Sequence, residues 1–200
     1  MKTHWSLNLL LLGMLIVSGC HQTAKVLYGV RDPKTIPVSK VERYLTHKKI
    51  PAYDGWFILK DSVSFMEYIN RGTLFSGVLF FNRQGELLKI KDTGYCSGIA
   101  YKVACSLNTD SAYALEPSLK LRDIASLVSP IRAGDQMTSA DADFVMVGLW
   151  GTFMGKINSN VFKTFEEAAA IPGAKKKIYL LDLDLLEEWG MKNKLRISLK

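Results

Sequence analysis

Thiols and imidazoles, the side chains best suited to nucleophilic chemistry near neutral pH, are few in this chain, and their spacing limits what each could do. There are three cysteines, Cys20, Cys96 and Cys105, and three histidines, His4, His21 and His47. Cys96 falls in the first turn of a stretch that reads as a helix, Tyr95 to Leu107. The positive end of a helix dipole lowers a thiol pKa, so Cys96 is a candidate reactive thiol for a one-cysteine peroxidase or sulfenic-acid sensor. Cys105 would lie on the opposite helical face, about 13 Å away by rise, which excludes a disulfide within one continuous helix. The opposing reading makes both thiols small buried hydrophobes, as free cysteines usually are. Only Thr93 precedes Cys96, with no arginine partner to activate a peroxide, and this favours the opposing reading. Asp182 and Asp184 close an apolar run and could serve as a carboxylate pair or hold a cation, since ligands sit at strand ends in α/β folds. Two acids ahead of a helix more often supply a cap and a solvated neighbour, with Glu187 and Glu188 in the first turn.

Much else is excluded by absence. The sequence has no C-x-x-C, no H-E-x-x-H and no zinc-ligand spacing. It has no G-x-S-x-G elbow to accompany His47, no Walker A and no dinucleotide fingerprint. No metal or cofactor is therefore expected. Hydrophobic residues make up 48% and charged residues 22%, ordinary values for a folded domain. The formal net charge is +7, but the basic residues are scattered. Their densest run, Lys175-Lys176-Lys177, reads as a solvated turn, so no nucleic-acid partner is expected. Weak attraction to anionic lipid headgroups fits this charge.

The chain starts with Met1-Lys2 and an apolar run, Leu7 to Val17, followed by Val17-Ser18-Gly19-Cys20. A basic start, a short apolar stretch and small residues before a cysteine make residues 1–19 a secretory signal peptide. The junction resembles the lipobox of bacterial lipoproteins. That resemblance implies that Cys20 is acylated, becomes the new N-terminus and anchors the protein to a lipid bilayer of the cell envelope. His21 stands where many inner-membrane lipoproteins carry aspartate, which favours the outer membrane. One acyl chain is only marginally retained, whereas two or three hold firmly.

The remaining elements follow from periodicity. Residues 20–36 read as a lipidated tether, and 37–200 as one α/β domain with an N-terminal part (37–110) and a core part (143–190). A helix Lys40 to Lys48, capped by Ser39, precedes a short strand Trp56 to Leu59. Asp61 or Ser62 starts a helix to Asn70. Gly77 to Phe81 and Glu86 to Ile90 form a hairpin across Asn82-Arg83-Gln84-Gly85. A linker and a helix Leu119 to Val128 follow. Phe144 to Trp150 is apolar throughout, as a strand covered on both faces must be. A helix over 156–170, a strand Lys177 to Leu183 and a short helix Leu185 to Met191 complete the series. Strand, helix and strand of these lengths imply parallel strands with a right-handed crossover.

Residues Asp143 to Ile157 resemble the strand and active-site turn of thioredoxin-like proteins, an apolar strand followed by W-x-x-W-C-x-x-C. Trp150 matches the first tryptophan and Phe153 the second aromatic, while Gly155 matches the intervening glycine. Met154 and Ile157 fall on the two cysteine positions. Lys177 to Asp184 is similar to the family's next strand. The resemblance implies a thioredoxin-like mixed sheet flanked by helices, in rearranged order because the hairpin stands upstream. It also implies lost redox chemistry, since neither Met154 nor Ile157 can form a thiolate. The expected function is a non-enzymatic, membrane-tethered binding or scaffold module, with Trp150, Phe153, Met154 and Ile157 offering an apolar surface to a protein or peptide. The rival class is a thiol peroxidase or redox sensor through Cys96.

Overall fold

The computed structural model describes residues 28–51, 53–71, 77–89 and 97–190. Cys20 and Cys96 lie outside the described residues, as do the signal segment and the first part of the tether, residues 20–27. In chain order the elements are β1 (Thr35–Ile36), α1 (Val38–His47), β2 (Gly55–Leu59), α2 (Ser62–Asn70), β3 (Val78–Asn82), β4 (Glu86–Leu88) and α3 (Ser97–Ser106). Then come β5 (Leu115–Lys120), α4 (Leu121–Leu127), β6 (Val128–Pro130), β7 (Phe144–Trp150), α5 (Lys156–Ala170), β8 (Lys176–Asp182), β9 (Leu185–Leu186) and a 3₁₀ turn at Glu187–Trp189.

The uninterrupted apolar run of β7 makes it the centre of a seven-stranded mixed sheet, ordered β5-β4-β3-β7-β8-β2-β6. Successive side chains of a strand point to opposite faces, so this run supplies two cores at once. Val145, Val147 and Leu149 pack under α2 and α4 with Phe65, Tyr68, Ile124 and Leu127. Phe144, Met146 and Trp150 pack under α1, α3 and α5 with Val41, Leu45, Ala104 and Phe165. Gly148 lies on the second face, where a Cβ would overlap the ring of Phe165. Its bare backbone lets α5 lie close against β7.

β7, α5 and β8 form the expected parallel crossover, in register from Phe144 opposite Lys176 to Trp150 opposite Asp182. The hairpin β3–β4 comes from upstream and lays β3 antiparallel on the free side of β7, Val78 opposite Gly148. Among the described residues the class is thus a mixed α/β sheet flanked by five helices, consistent with a thioredoxin-like α/β fold.

Three local expectations are corrected. The linker ahead of α4 contains β5, and β6 follows α4 directly. Both are sheet edges carrying a proline, Pro117 and Pro130, which edge strands tolerate because one side needs no ladder donor. The expected helix Leu185 to Met191 starts instead as β9, held extended by parallel pairing with β1 (Thr35 opposite Leu185), and continues only as the 3₁₀ turn. Finally, α1 starts at Val38 rather than beyond Ser39. Its first N–H is satisfied from afar, with Val38 N donating to Glu188 Oε1 at 2.9 Å. Asp61 caps α2 as expected, accepting from Ser64 N at 2.7 Å.

Candidate functional site

The turn between β7 and α5 carries Trp150, Phe153, Met154, Gly155 and Ile157. Trp150 is core, 1% exposed, with its ring stacked on Tyr44 at 5.4 Å and tilted against Phe162 at 5.7 Å. Phe153, Met154, Gly155 and Ile157 are half-buried. Met154 N donates to Gly151 O and Ile157 N to Met154 O, which winds the turn into α5. Gly155 has φ +56° and caps that helix. A segment around Tyr28–Arg31 crosses this turn, and Arg31 N donates to Phe153 O at 2.8 Å. A Cβ on Gly155 would run into the carbonyl oxygens of Tyr28 and Gly29. The glycine is needed for its dihedral and for the close approach of this strap. The apolar surface expected here is corrected at Trp150, which is buried, while Phe153, Met154 and Ile157 stay half-buried.

Two polar residues fix the turn from below. Asn158 is fully buried on the first turns of α5; its Nδ2 donates to Gly151 O at 2.7 Å and to Tyr44 Oη at 3.3 Å, while Oδ1 accepts from Gly151 N at 3.3 Å. Sequence reasoning missed it. The available signal was its position three and four residues before Val161 and Phe162 on the apolar face of α5. Asp184 accepts from Thr152 N at 2.6 Å and from the Thr152 hydroxyl at 2.9 Å.

Asp182 and Asp184 correct the reading of a cap with a solvated neighbour. They are 1% and 2% exposed, and Asp184 N donates to Asp182 Oδ2 at 3.3 Å. Oδ1 of Asp182 has no hydrogen-bond partner among the described residues. Burial, and then the adjacent Asp184 charge, hold the Asp182 carboxyl well above the usual carboxylate range. Burial also raises Asp184, against the opposing pull of its hydrogen bonds to Asp182 and Thr152 and of the Lys40 charge. Among the described residues, no group of three or more His, Cys, Asp and Glu side chains is placed to hold a metal ion.

Beside the turn a cavity of about 440 Å³ opens between the strap and α1. The strap contributes Arg31, Asp32, Lys34 and Ile36; α1 contributes Lys40, Arg43, Tyr44 and His47. Thr152 and Phe153 form the wall shared with the turn.

The remaining sequence candidate in the described region is Cys105. It is exposed on α3, not buried, and within hydrogen-bonding reach of Tyr101, whose phenol it raises. No described helix is long and apolar enough to cross a membrane. Compared with known proteins, the chain matches no family model, no curated protein and no solved structure.

Proposed function

We propose that this chain is a lipid-anchored envelope protein whose thioredoxin-like domain binds a partner or ligand and carries out no thiol chemistry at its turn. One observation carries the reading. The positions where dithiol chemistry would need thiols hold Met154 and Ile157, and the strap bonds to the same turn through Arg31 N and Phe153 O. Exchange of a disulfide needs a thiolate at the helix start and a second thiol one turn on, with access for the incoming sulfur. The turn has neither thiol, and its backbone approach is occupied. The anchor rests on the small residues before Cys20, and the outer membrane is favoured by His21.

The test is mass spectrometry of the protein from envelope fractions, with thiols alkylated at lysis before and after a peroxide pulse. The expected outcome is an acylated Cys20 peptide and a Cys96 that remains fully alkylated. Sulfenic acid or a mixed disulfide at Cys96 after peroxide would replace this proposal with a one-cysteine peroxidase or sensor. An unmodified Cys20 at the mature N-terminus would remove the anchor.

A further inference from the structure

We infer that the cleft between the strap and α1 binds a phosphate group carried on a small apolar body, supplied either by a soluble phosphate monoester or by a phospholipid headgroup. The inference rests on the binding role proposed above and names the ligand class for it.

Charge is the first argument. Arg31 and Lys34 from one segment and Lys40 and Arg43 from another line a single cavity, with His47 one turn beyond Arg43 and Tyr44. Four permanent positive charges thus face one lining carboxylate, Asp32. Among the described residues the ion pairs are Arg71 with Glu67 and Asp123, Arg122 with Asp123, and Lys163 with Glu167. None of them engages a base of the cleft. Four like charges gathered against one carboxylate repel on balance, and an anion seated among them relieves that repulsion.

Rigidity is the second argument. α1 is pinned by the buried Val41 and Leu45, by the stack of Tyr44 on Trp150 and by the bond from Asn158. The strap is pinned by Arg31 N on Phe153 O and by the pairing of Thr35 and Ile36 with β9. The backbones that carry the basic side chains are therefore positioned before any ligand arrives, which lowers the ordering cost of binding.

Chemistry and place narrow the ligand. The cavity volume falls in the range of small-molecule sites. Ile36, Tyr44 and Phe153 supply apolar wall, while Thr152 turns its N–H and hydroxyl inward to Asp184. Recognition is thus left to the basic side chains. Guanidinium forks match paired phosphate oxygens, and lysines reaching in from two segments suit a tetrahedral phosphate, as monoester or diester, better than a planar carboxylate. The cleft also adjoins the carboxyl ends of the parallel strands β7 and β8, where ligands sit in open α/β sheets. Arg31 follows Cys20 by eleven residues, a span of at most roughly 40 Å, so an acylated Cys20 keeps the cleft within reach of lipid headgroups.

The experiment uses the full chain in phosphatidylcholine nanodiscs. Phenyl phosphate is titrated by calorimetry at constant ionic strength, against the Lys40→Gln/Arg43→Gln double variant. Lys175→Gln/Lys177→Gln serves as a control of equal charge change at the turn before β8. A second arm measures hydrogen exchange of α1 in discs containing phosphatidylglycerol. Saturable phenyl phosphate binding, weakened at least about tenfold in the cleft variant and unchanged in the control, supports the inference and identifies a soluble source. No phenyl phosphate binding, but slowed exchange of α1 in anionic discs that is lost only in the cleft variant, supports it with a headgroup source. No response in either arm, or an equal loss in the control, overturns it. Turnover at Cys96 would bring down the binding-module reading whatever the titration shows. A flat titration with an inert Cys96 would bring down only the ligand class.

Discussion

The turn after β7 and the cleft beside it share Thr152 and Phe153 but are built on opposite rules. In the turn three successive residues are held through their backbone: Gly151 by Asn158, Thr152 by Asp184, Phe153 by Arg31. Its side chains are core or half-buried, and the position beside Met154 tolerates no Cβ. In the cleft the basic side chains are exposed and outnumber the one lining carboxylate, Asp32. The turn is a structural joint, while the neighbouring opening holds the groups that can meet a ligand. Residues whose role is packing resist change; residues whose role is recognition resist it only when the ligand is present.

The largest expected effect breaks the joint. Gly155→Ala places a Cβ against the carbonyls of Tyr28 and Gly29 and forces alanine to adopt φ +56°. The strained dihedral and the overlap together are expected to lower stability by about 2–4 kcal/mol. Thermal unfolding should move down by roughly 5–15 °C for a domain of this size. An unchanged midpoint would mean that the strap is not seated on the turn in solution, and the contrast between closed joint and open cleft would fail with it.

A smaller effect sharpens the contrast through pH. Both folded carboxyls, Asp182 and Asp184, lie above their ordinary range, chiefly because they are buried. Between the unfolded value, about 4, and the raised folded value, the native state binds more protons than the unfolded one. Stability therefore falls as pH rises through that window and levels off once the folded pair has ionised. Asp182→Asn keeps the shape without the second charge. It is expected to flatten the slope and to exceed the wild type by about 1–3 kcal/mol at neutral pH. Urea midpoints taken in steps from about pH 4 to about pH 8 measure this directly. Parallel curves for the two proteins would show that the pair does not share one buried environment.

What was legible in the sequence follows the same division. The runs with strong periodicity announced themselves: β7 by unbroken apolarity, α5 by Phe162, Phe165 and Ala169 at helical spacing, and the hairpin by Asn82 to Gly85. β5 and β6 did not, because edge strands need no two-sided apolar pattern and their prolines read as breaks. β9 reads as the start of a helix, since a two-residue parallel pairing with Thr35 and Ile36 leaves no local trace. The turn was visible as a pattern of Trp150, Phe153 and Gly155, yet not what closes it, because Tyr28–Arg31 lies more than a hundred residues away in sequence. Buried acids are invisible for the same reason: Asp182 and Asp184 look like a cap until Thr152 is seen donating to one of them. The cleft was the least legible feature. Lys40, Arg43 and His47 look like an ordinary solvated helix face, and only the strap opposite turns that face into a wall.

The smallest effect tests that wall from the side of stability. Lys34 is exposed, forms no ion pair with a described carboxylate, and faces the other bases of the cleft. Lys34→Gln should therefore change unfolding free energy by no more than about 0.5 kcal/mol, and in the stabilising direction at low salt. The gain comes from reduced repulsion, so it should fade near 1 M salt, where the screening length is about 3 Å. Denaturant midpoints of the two proteins at low and high ionic strength provide the measurement. A loss of more than about 1 kcal/mol would place Lys34 in a structural contact and make the cleft another packed joint. A small, salt-sensitive gain is the behaviour of a charge held in place by its neighbours and left without a partner of its own, which is the state an incoming phosphate would need to find.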